Sequence, residues 1–499
     1  MKHRLLNFSK YFFLILLMYM PLFGHLDRLP IRLWDESRLA INAFEMYEDG
    51  DWIVTHFNGA PDMWNTKPPL MIWAQVICMH VIGVGELAVR LPSAISGFLT
   101  CIVLLLLSLR YLKSFWFGFI CIMVLITTHG YLNFHSTRTG DYDAMLALFT
   151  TLGCVLFFIY CENPIPKTLY AFFCTVALAI LCKGIAGLMF IPGIVAYAFI
   201  RKQLIPLLKN KHFYLGLLSF LILASGYYLL REAYNPGFLN AVYENELGGR
   251  YLKVNEGHAE DFWFYLNNLV QFQMPFWYWL IPFGWAIGFA SKNRTQRSLS
   301  QFSMCMALTY FLVISISQTK LEWYDVPIYP FLSIAVAQAL HFPIEWVRCN
   351  TWLNASLRIN LLPLALLFLI CINPYRKIWD QTYMPKVYPW EKDFYEIGFY
   401  LQQAARRNLP LKDCNIYFPG YNAHHDFYLK ILKQQGSNVK IADPAMLQVG
   451  DQIILGENET KNYLADHYHY DVIEDHGVVV RYEVLGVKNE ELRVKYEGQ

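Results

Sequence analysis

Long apolar runs separated by short polar connections fill the chain from residue 11 to residue 372, and this pattern predicts membrane-spanning helices. The first run, Tyr11 to Leu26, follows a basic stretch, but no small-residue cleavage site follows it, so we expect a retained anchor and not a signal peptide. Together with later runs of sufficient length, it predicts about eleven spans. The later runs lie near residues 88–109, 115–132, 143–160, 168–182, 184–200, 212–230, 263–290, 299–317, 326–345 and 352–372.

Every second connection between these runs is rich in lysine and arginine. Cytoplasmic loops carry the excess of these residues, so the basic connections are expected inside. The segment Pro68 to Val84 is also apolar, but counting it as a span would move every later basic cluster outside, so we expect an interfacial or re-entrant helix. The outer face then holds residues 30–66, 133–142, 231–262 and 318–325 and the tail from about residue 374.

The tail is richer in charge and tyrosine than the rest of the chain. Short strand-like runs (Asn415 to Phe418, Gln452 to Leu455, Gly477 to Tyr482) alternate there with helix-like stretches (Phe394 to Arg406, His425 to Gln435). We therefore expect a polytopic all-α membrane domain, residues 1–373, followed by a small α/β soluble domain, residues 374–499, on the outer side.

Composition supports a membrane protein and narrows its partners. The chain is 56% hydrophobic and only 16% charged, against roughly 25% charged in ordinary soluble domains. With 41 Lys+Arg and 39 Asp+Glu the net charge is +2, which gives no electrostatic reason to expect nucleic acid. No spacing of histidine, cysteine or carboxylate completes a metal-ligand set, so the sequence specifies no cofactor and leaves a divalent ion open.

Asp35, Glu36 and Arg38 lie just beyond the first span, in the string IRLWDESRLA. A carboxylate in this position can stay ionised and still face a lipid-borne substrate. The alternative is that these charges mark the interface and pair with one another, an arrangement that adds little stability. Spacing alone leaves both interpretations open.

A second outer segment, HSTRTGDYDAML, carries Arg138, Asp141 and Asp143. Asp143 starts the next apolar run, where a helix cap alone would explain it. Two outer segments nevertheless each bring a carboxylate to the same membrane surface. Glycosyl or acyl transfer needs one carboxylate to take the acceptor's proton and another to hold the first or the acceptor, so we hypothesise that Asp35 and Asp143 form a catalytic pair.

Cationic side chains on the same face are candidates for stabilising the lipid phosphate that an isoprenoid phosphate donor leaves behind. These candidates are Lys67, Lys183, Arg250 and Lys320. Lys183 lies in ILCKGIAG between two apolar runs, where an unpaired ammonium is costly, so an anion site is the favoured interpretation. A lysine whose amine simply reaches the interface explains Lys67 equally well.

An ordered series of motifs resembles the bacterial lipid-linked-sugar glycosyltransferases of the GT-C fold. It begins with WDESRLAINAFEMYEDGDWIVTHFNGAPDMWNTKPPLMIWAQ and ELAVRLPSAISG, continues through Asp143, Lys183-Gly184 and the segment from Glu246 to His258, and ends with TKLEWYDVPIYP around Tyr324. Within that group the likeness is greatest to 4-amino-4-deoxy-L-arabinose transferases of lipid A, with protein O-mannosyltransferases as more distant kin. It covers roughly residues 30–330.

The resemblance implies roles for single residues. Asp35 matches the acidic residue after the first span that is taken as catalytic in the family, and Asp143 matches the aspartate that begins a later span. Arg38, Lys67 and Arg250 match positions that bind the isoprenoid phosphate, and His258 matches a histidine of a flexible outer loop. Thr66 departs from the family, whose arabinosyl-transferring members often have Glu there, and this departure puts a metal site with the histidine in doubt.

We therefore expect an inverting glycosyltransferase of the bacterial inner membrane, with its active site facing the periplasm. Its partners would be a polyprenyl-phosphate-linked sugar donor, carrying aminoarabinose or a hexose, and a lipid A, glycan or protein acceptor, among membrane lipids. Protein O-mannosylation is the alternative enzyme activity. A transporter is the alternative class, but it predicts internal repeats and ionisable groups near the bilayer midplane, and no repeat is visible.

Overall fold

The computed structural model describes residues 2–251, 259–349, 361–387, 392–407, 411 and 413–488. The chain forms two compact units. The first contains Met1–Leu26 and Glu45–Met384, and the second contains Asp27–Phe44 and Pro385–Gln499. The segment that carries Asp35 is therefore grouped with the tail.

The first unit is helical. Its helices are α1 Lys2–Phe23, the C-terminal part of α2 Asp35–Asp49, α3 Leu70–Ile82, α4 Glu86–Leu107, α5 Phe115–Ile126, α6 Asp143–Glu162, α7 Pro166–Lys183, α8 Ile191–Ile200, α9 Leu204–Leu208, α10 Lys211–Tyr234, α11 Phe238–Val242, α12 Phe264–Asn268, α13 Leu280–Ala290, α14 Arg294–Ile316, α15 Tyr329–Cys349 and α16 Leu361–Tyr383. A short hairpin of two antiparallel strands, β1 His56–Phe57 and β2 Ala60–Pro61, lies before α3.

Within the described part of the chain, six helical segments are long and apolar enough to cross a membrane, which confirms a multi-pass membrane protein. They are Glu86–Leu112, Asp143–Glu162, Pro166–Leu188, Lys211–Tyr234, Arg294–Ile316 and Glu322–Trp346. Other predicted spans are shorter as helices: the run 115–132 contains α5 and the run 184–200 contains α8. The run 352–372 begins outside the described residues. The predicted number of about eleven spans is thus not confirmed.

Backbone breaks explain why some apolar runs give short helices. Gly184 ends α7 with a φ of +54°, a backbone conformation that residues other than glycine rarely adopt. The chain continues as the 3₁₀ segment Gly184–Leu188 before α8. The run 263–290 is divided by a π-helical segment, Leu269–Gln273, and an irregular stretch before α13. Hydropathy counts apolar residues and does not register these interruptions.

Glycines let the helices of this unit approach closely. Gly284 and Gly288 lie four residues apart on α13, and a Cβ added at Gly284 would overlap the carbonyl oxygen of Ala335 in α15. A Cβ at Gly288 would overlap the hydroxyl of Ser300 in α14. Membrane helices gain nothing from burying apolar side chains away from lipid, so such small-residue contacts hold them together.

The second unit contains a five-stranded sheet with strand order β4-β3-β5-β7-β6. The strands are β3 Cys414–Ile416, β4 Val439–Ile441, β5 Gln452–Leu455, β6 Tyr468–Asp475 and β7 Val480–Val487, and the helices are α17 Lys392–Arg407, α18 Ala423–Gln434 and α19 Asn458–His467. β3 pairs in parallel with β4 and β5, whereas β7 pairs antiparallel with β5 and β6. The predicted small α/β domain in the tail is confirmed.

Replacing Gly284 with alanine should destabilise the protein, because the added methyl meets a backbone carbonyl that cannot rotate away. We expect a loss of about 1–3 kcal/mol, the usual cost of overpacking, seen as a lower thermal midpoint in detergent. Gly226→Ala is the matched control, since a Cβ there meets nothing within 4 Å. Equal midpoints for the two variants would contradict the close approach of α13 and α15.

Candidate active site

A buried ion pair joins the first residue of α6 to the last residue of α7. The two helices form an antiparallel hairpin, so Asp143 and Lys183 meet at the same end of it. Lys183 Nζ lies 2.5 Å from Asp143 Oδ1 and 2.6 Å from Oδ2, and the two side chains are only 9% and 3% exposed. Asp143 thus starts the helix, but its carboxylate is engaged by Lys183.

Lys67 belongs to a second ion pair. Its Nζ lies 3.5 Å from Glu246 Oε1, and the hydroxyl of Thr66 donates to the same oxygen over 3.5 Å. The ring of Tyr142 lies beneath the ammonium, 5.5 Å from Nζ to the ring centre. Both contacts of Glu246 are long, so they are weaker than the bonds between Lys183 and Asp143.

The loop that carries Lys67 is shaped by its own polar groups. Asp62 Oδ1 accepts the backbone N–H groups of Trp64 and Asn65, each over 2.9 Å. Asn65 in turn bonds the hydroxyl of Tyr142 over 2.8 Å. The fully buried guanidinium of Arg231 donates to the carbonyls of Ile53, Thr55 and Asp62. Lys67 is therefore positioned by a rigid loop.

Both pairs line one small cavity of about 70 Å³. Tyr324 also lines it, with its ring centre 5.2 Å from Lys183 Nζ. The remaining lining residues are Leu146, Ile185, Ala186, Met189, Tyr310, Ile314, Ser317 and Thr319. The cavity has room for only a few water molecules, so a larger ligand must displace part of the wall. Glu246, from the π-helical segment Tyr243–Tyr251, is held by two contacts of 3.5 Å.

The other predicted residues of this unit have separate partners. Arg138 donates to the carbonyls of Pro21, Leu22 and Gly24 at the end of α1. Burial, followed by the charge of Arg90, lowers the pKa of Arg138 to about 9, so it stays charged at neutral pH.

Two more candidates are held by local bonds. Asp141 accepts a hydrogen bond from Thr139 over 2.5 Å and lies 3.5 Å from His135 Nδ1. Lys320 donates to the carbonyls of Glu260 and Ser317. Neither side chain lines the cavity of Lys67 and Lys183.

Asp35, Glu36 and Arg38 lie at the start of α2, in the part grouped with the tail. Glu36 is 1% exposed, and its Oε2 accepts the backbone N–H of Arg32 over 2.7 Å, so it stabilises the start of the helix. Asp35 is partly exposed. His258 lies outside the described residues, and so does the side chain of Arg250.

Some pocket residues carry no signal in the sequence. Tyr310 lines the cavity from within an apolar run and belongs to no motif, and Arg231, which supports the loop of Lys67, also lies at the end of an apolar run. The sequence does contain a signal for the pair of Asp143 and Lys183. A short connection between α6 and α7 makes two helices of similar length antiparallel, so the start of the first lies beside the end of the second.

The fold and the buried ionic pocket define a membrane protein of the GT-C fold, as the motifs predict. The crystal structure of ArnT from Cupriavidus metallidurans bound to undecaprenyl phosphate superimposes with a TM-score of 0.69, covering 98% of this chain and 99% of that one at 17% identity. Archaeal oligosaccharyltransferase AglB from Archaeoglobus fulgidus, solved with an inhibitory peptide and a dolichol-phosphate, matches with a TM-score of 0.54 over 97% of this chain and 75% of that one, at 11% identity.

The sequence is similar to that of undecaprenyl phosphate-alpha-4-amino-4-deoxy-L-arabinose arabinosyl transferases. The protein from Aeromonas salmonicida is 26% identical over 373 residues, which are 71% of this chain and 65% of that protein. A Proteus mirabilis protein of the same description is also 26% identical, over 72% of this chain and 64% of its own length. The chain thus spans less than two thirds of these relatives. Residues 66–228 match the family described as dolichyl-phosphate-mannose-protein mannosyltransferase.

Removing one partner of the pair between Asp143 and Lys183 should be strongly destabilising, because the other charge would remain buried alone. We expect Asp143→Leu and Lys183→Met each to lose about 3–5 kcal/mol of stability, and the double variant to recover most of it. Thermal unfolding in lipid nanodiscs measures this coupling.

The pair of Arg201 and Glu162, 2.6 Å apart and 15% and 16% exposed, is the control. Breaking it with Glu162→Leu should cost less, since both groups are better hydrated. Additive losses in the Asp143 and Lys183 double variant would show that the two side chains do not depend on each other.

Proposed function

We propose that this protein is an integral inner-membrane glycosyltransferase that moves a sugar from a polyprenyl-phosphate donor to lipid A or another envelope acceptor. The observation that carries the proposal is the buried pocket containing two lysines, in a fold shared over nearly its whole length with a structure that holds undecaprenyl phosphate. The names of the relatives support the same donor class.

Lys67 is the residue we assign to the donor phosphate. Among the described residues, its partner Glu246 is held by two contacts of 3.5 Å. The donor phosphate is a diester with one negative charge, like a carboxylate, but its oxygens accept from several donors at once, and the polyprenyl phosphate that leaves carries up to two negative charges. The phosphate would therefore take the place of Glu246 and open the cavity. Arg38 and Arg250 are assigned as further phosphate ligands on their match to the family's positions. Lys183, whose charge is already neutralised by Asp143, would act mainly by holding Asp143.

The reaction that we assign is a displacement at the anomeric carbon. An acceptor oxygen forms the new bond as the bond from that carbon to the phosphate oxygen breaks, and polyprenyl phosphate leaves with the electron pair. Asp35 would take the proton of a hydroxyl acceptor, or position an acceptor phosphate that is already ionised. Cationic side chains would stabilise the charge that develops on the leaving phosphate.

One observation, the family match of part of the chain, favours a second candidate function. The match of residues 66–228 to the mannosyltransferase family supports protein O-mannosylation, in which a Ser or Thr hydroxyl is the acceptor. The two activities differ in the product, since label would move to protein and not to a glycolipid. This chain has Thr66 where many arabinosyl-transferring relatives have glutamate. For that reason we propose either a hexose or aminoarabinose as the sugar of the donor.

Asp35→Asn should abolish transfer while the protein still folds, because the amide cannot accept a proton. The assay uses purified protein in membranes with a panel of labelled polyprenyl-phosphate sugars, and follows label into lipid and protein fractions. We expect wild-type transfer from one donor and a loss of at least about 100-fold in the variant, the usual size of such a contribution. Absence of transfer from every donor in a wide panel, by well-folded protein, would favour a transporter.

Lys67→Gln should raise the half-saturating donor concentration by about tenfold or more, which is the loss of one charged contact. Lys10→Gln is the matched control, because Lys10 lies in the N-terminal half of α1, among residues that line a separate apolar cavity. An unchanged donor response in Lys67→Gln would remove Lys67 from the phosphate site.

The charge pattern of the connections predicts that the active site and the tail face the periplasm. Single cysteines placed at Asp35 and at exposed tail positions such as Met446 should react with a membrane-impermeant thiol reagent in intact spheroplasts. A cysteine at Lys202, in a basic connection, should react only after the membrane is opened. Protection of the tail cysteine in intact cells would overturn this orientation.

A further inference from the structure

Trp34, immediately before the proposed catalytic Asp35, combines backbone strain with exposure. Its φ is +72°, in the left-handed region that bulky residues rarely adopt. The side chain is nevertheless 64% exposed, so burial does not repay the strain. Among the described residues, the other non-glycine positions with positive φ are His25, Asn58, Lys113, His135, Lys202 and Asp413, none of them Trp, Tyr or Phe. Strain that stability does not explain is typical of functional positions.

The tail holds Trp34 in this conformation. The hydroxyls of Tyr428 and Tyr395 accept the backbone N–H groups of Ile31 and Leu33, over 2.9 and 3.2 Å. The carbonyl of Trp34 accepts the N–H of Arg38 over 3.0 Å and the hydroxyl of Ser37 over 2.9 Å. The segment on both sides of Trp34 is therefore fixed.

One face of the indole ring is already supported. Tyr421 stacks on Trp34 with ring centres 5.4 Å apart and an angle of 20° between the planes, and Tyr421 is itself 38% exposed. Tyr421 follows Gly420, whose φ of +78° turns the loop. The stacked pair presents a flat aromatic surface next to Asp35, and most of Trp34 stays exposed.

We propose that Trp34, supported by Tyr421, is a subsite for the acceptor, and that it binds a sugar ring of a glycolipid. This inference rests on the proposed glycosyl transfer. An indole face is electron-rich, and the C–H groups on one face of a pyranose are weakly positive, so the two surfaces attract without a fixed hydrogen-bond pattern. The position next to Asp35 places the bound ring beside the group that handles the acceptor nucleophile.

The geometry favours this role over a membrane anchor. Interfacial tryptophans sit at the headgroup level through their own amphipathic character, and that function needs neither left-handed backbone nor a stacked partner. A tryptophan stacked on a tyrosine instead offers a ligand an extended flat aromatic surface.

Trp34→Asn separates the two properties of this residue, because asparagine tolerates positive φ and has no aromatic face. We expect its thermal midpoint to equal or exceed that of the wild type. Its affinity for lipid A should fall about tenfold, which corresponds to the upper range of an aromatic contact. Trp34→Phe should keep most of the affinity, and Tyr421→Ala should lose a smaller part. Trp346→Ala, which removes a similarly exposed tryptophan (61%) from α15, should change nothing.

Two measurements keep this inference distinct from the proposed function. Direct binding of fluorescent lipid A to protein in nanodiscs, without donor, tests the subsite alone. In the transfer assay the acceptor half-saturation should rise in Trp34→Asn while the donor half-saturation stays unchanged. Wild-type binding of lipid A that depends on Trp34 supports the subsite even if no donor is used. Equal binding by wild type and Trp34→Asn, or no binding by the wild type, overturns it even if transfer is observed.

Discussion

A charge inside a membrane protein must be neutralised where it lies, and the pair of Asp143 and Lys183 meets this constraint at the centre of the pocket. The hairpin of α6 and α7 brings the two residues to one end, and the surrounding wall is built on that end: Tyr324 faces the ammonium, and Leu146 and Ile185 enclose the pair. Lys67 and Glu246 form the second pair of the same cavity, so the charges of its described lining residues sum to zero. The proposed anion site therefore requires one carboxylate to move.

Hydropathy and charge pattern were enough to predict the class of fold, since apolar runs of sufficient length and a polar tail with strand-like segments are local features. The number of spans stays unconfirmed: the π-helical segment Leu269–Gln273 interrupts the run 263–290, and the run 184–200 begins with a 3₁₀ segment before a short helix. Motifs identified Asp143, Lys183 and Lys67 as candidates, but their partners depend on packing. Glu246 reaches Lys67 from almost 180 residues further along the chain, and no spacing rule connects the two. Glu36, one of the candidate carboxylates, accepts the backbone N–H of Arg32 in the segment before its own helix, and its candidate role in the site stays a prediction.

The two compact units divide the proposed chemistry between them. Asp143, Lys183 and Lys67 belong to the helical unit, whereas Asp35 and Trp34 belong to the unit that contains the tail. The tyrosine hydroxyls that hold residues 31 and 33 give the tail a definite role, namely to fix the segment before Asp35.

The proposed donor site depends on one exchange, in which the phosphate of polyprenyl phosphate replaces Glu246 at Lys67. A cryo-electron microscopy structure of the protein with polyprenyl phosphate shows whether this exchange occurs. We expect a phosphate oxygen within hydrogen-bond distance of Lys67 Nζ, Glu246 moved away from its position 3.5 Å from that atom, and Lys183 still bonded to Asp143. A phosphate bound elsewhere, with Lys67 and Glu246 still paired, would rule the exchange out.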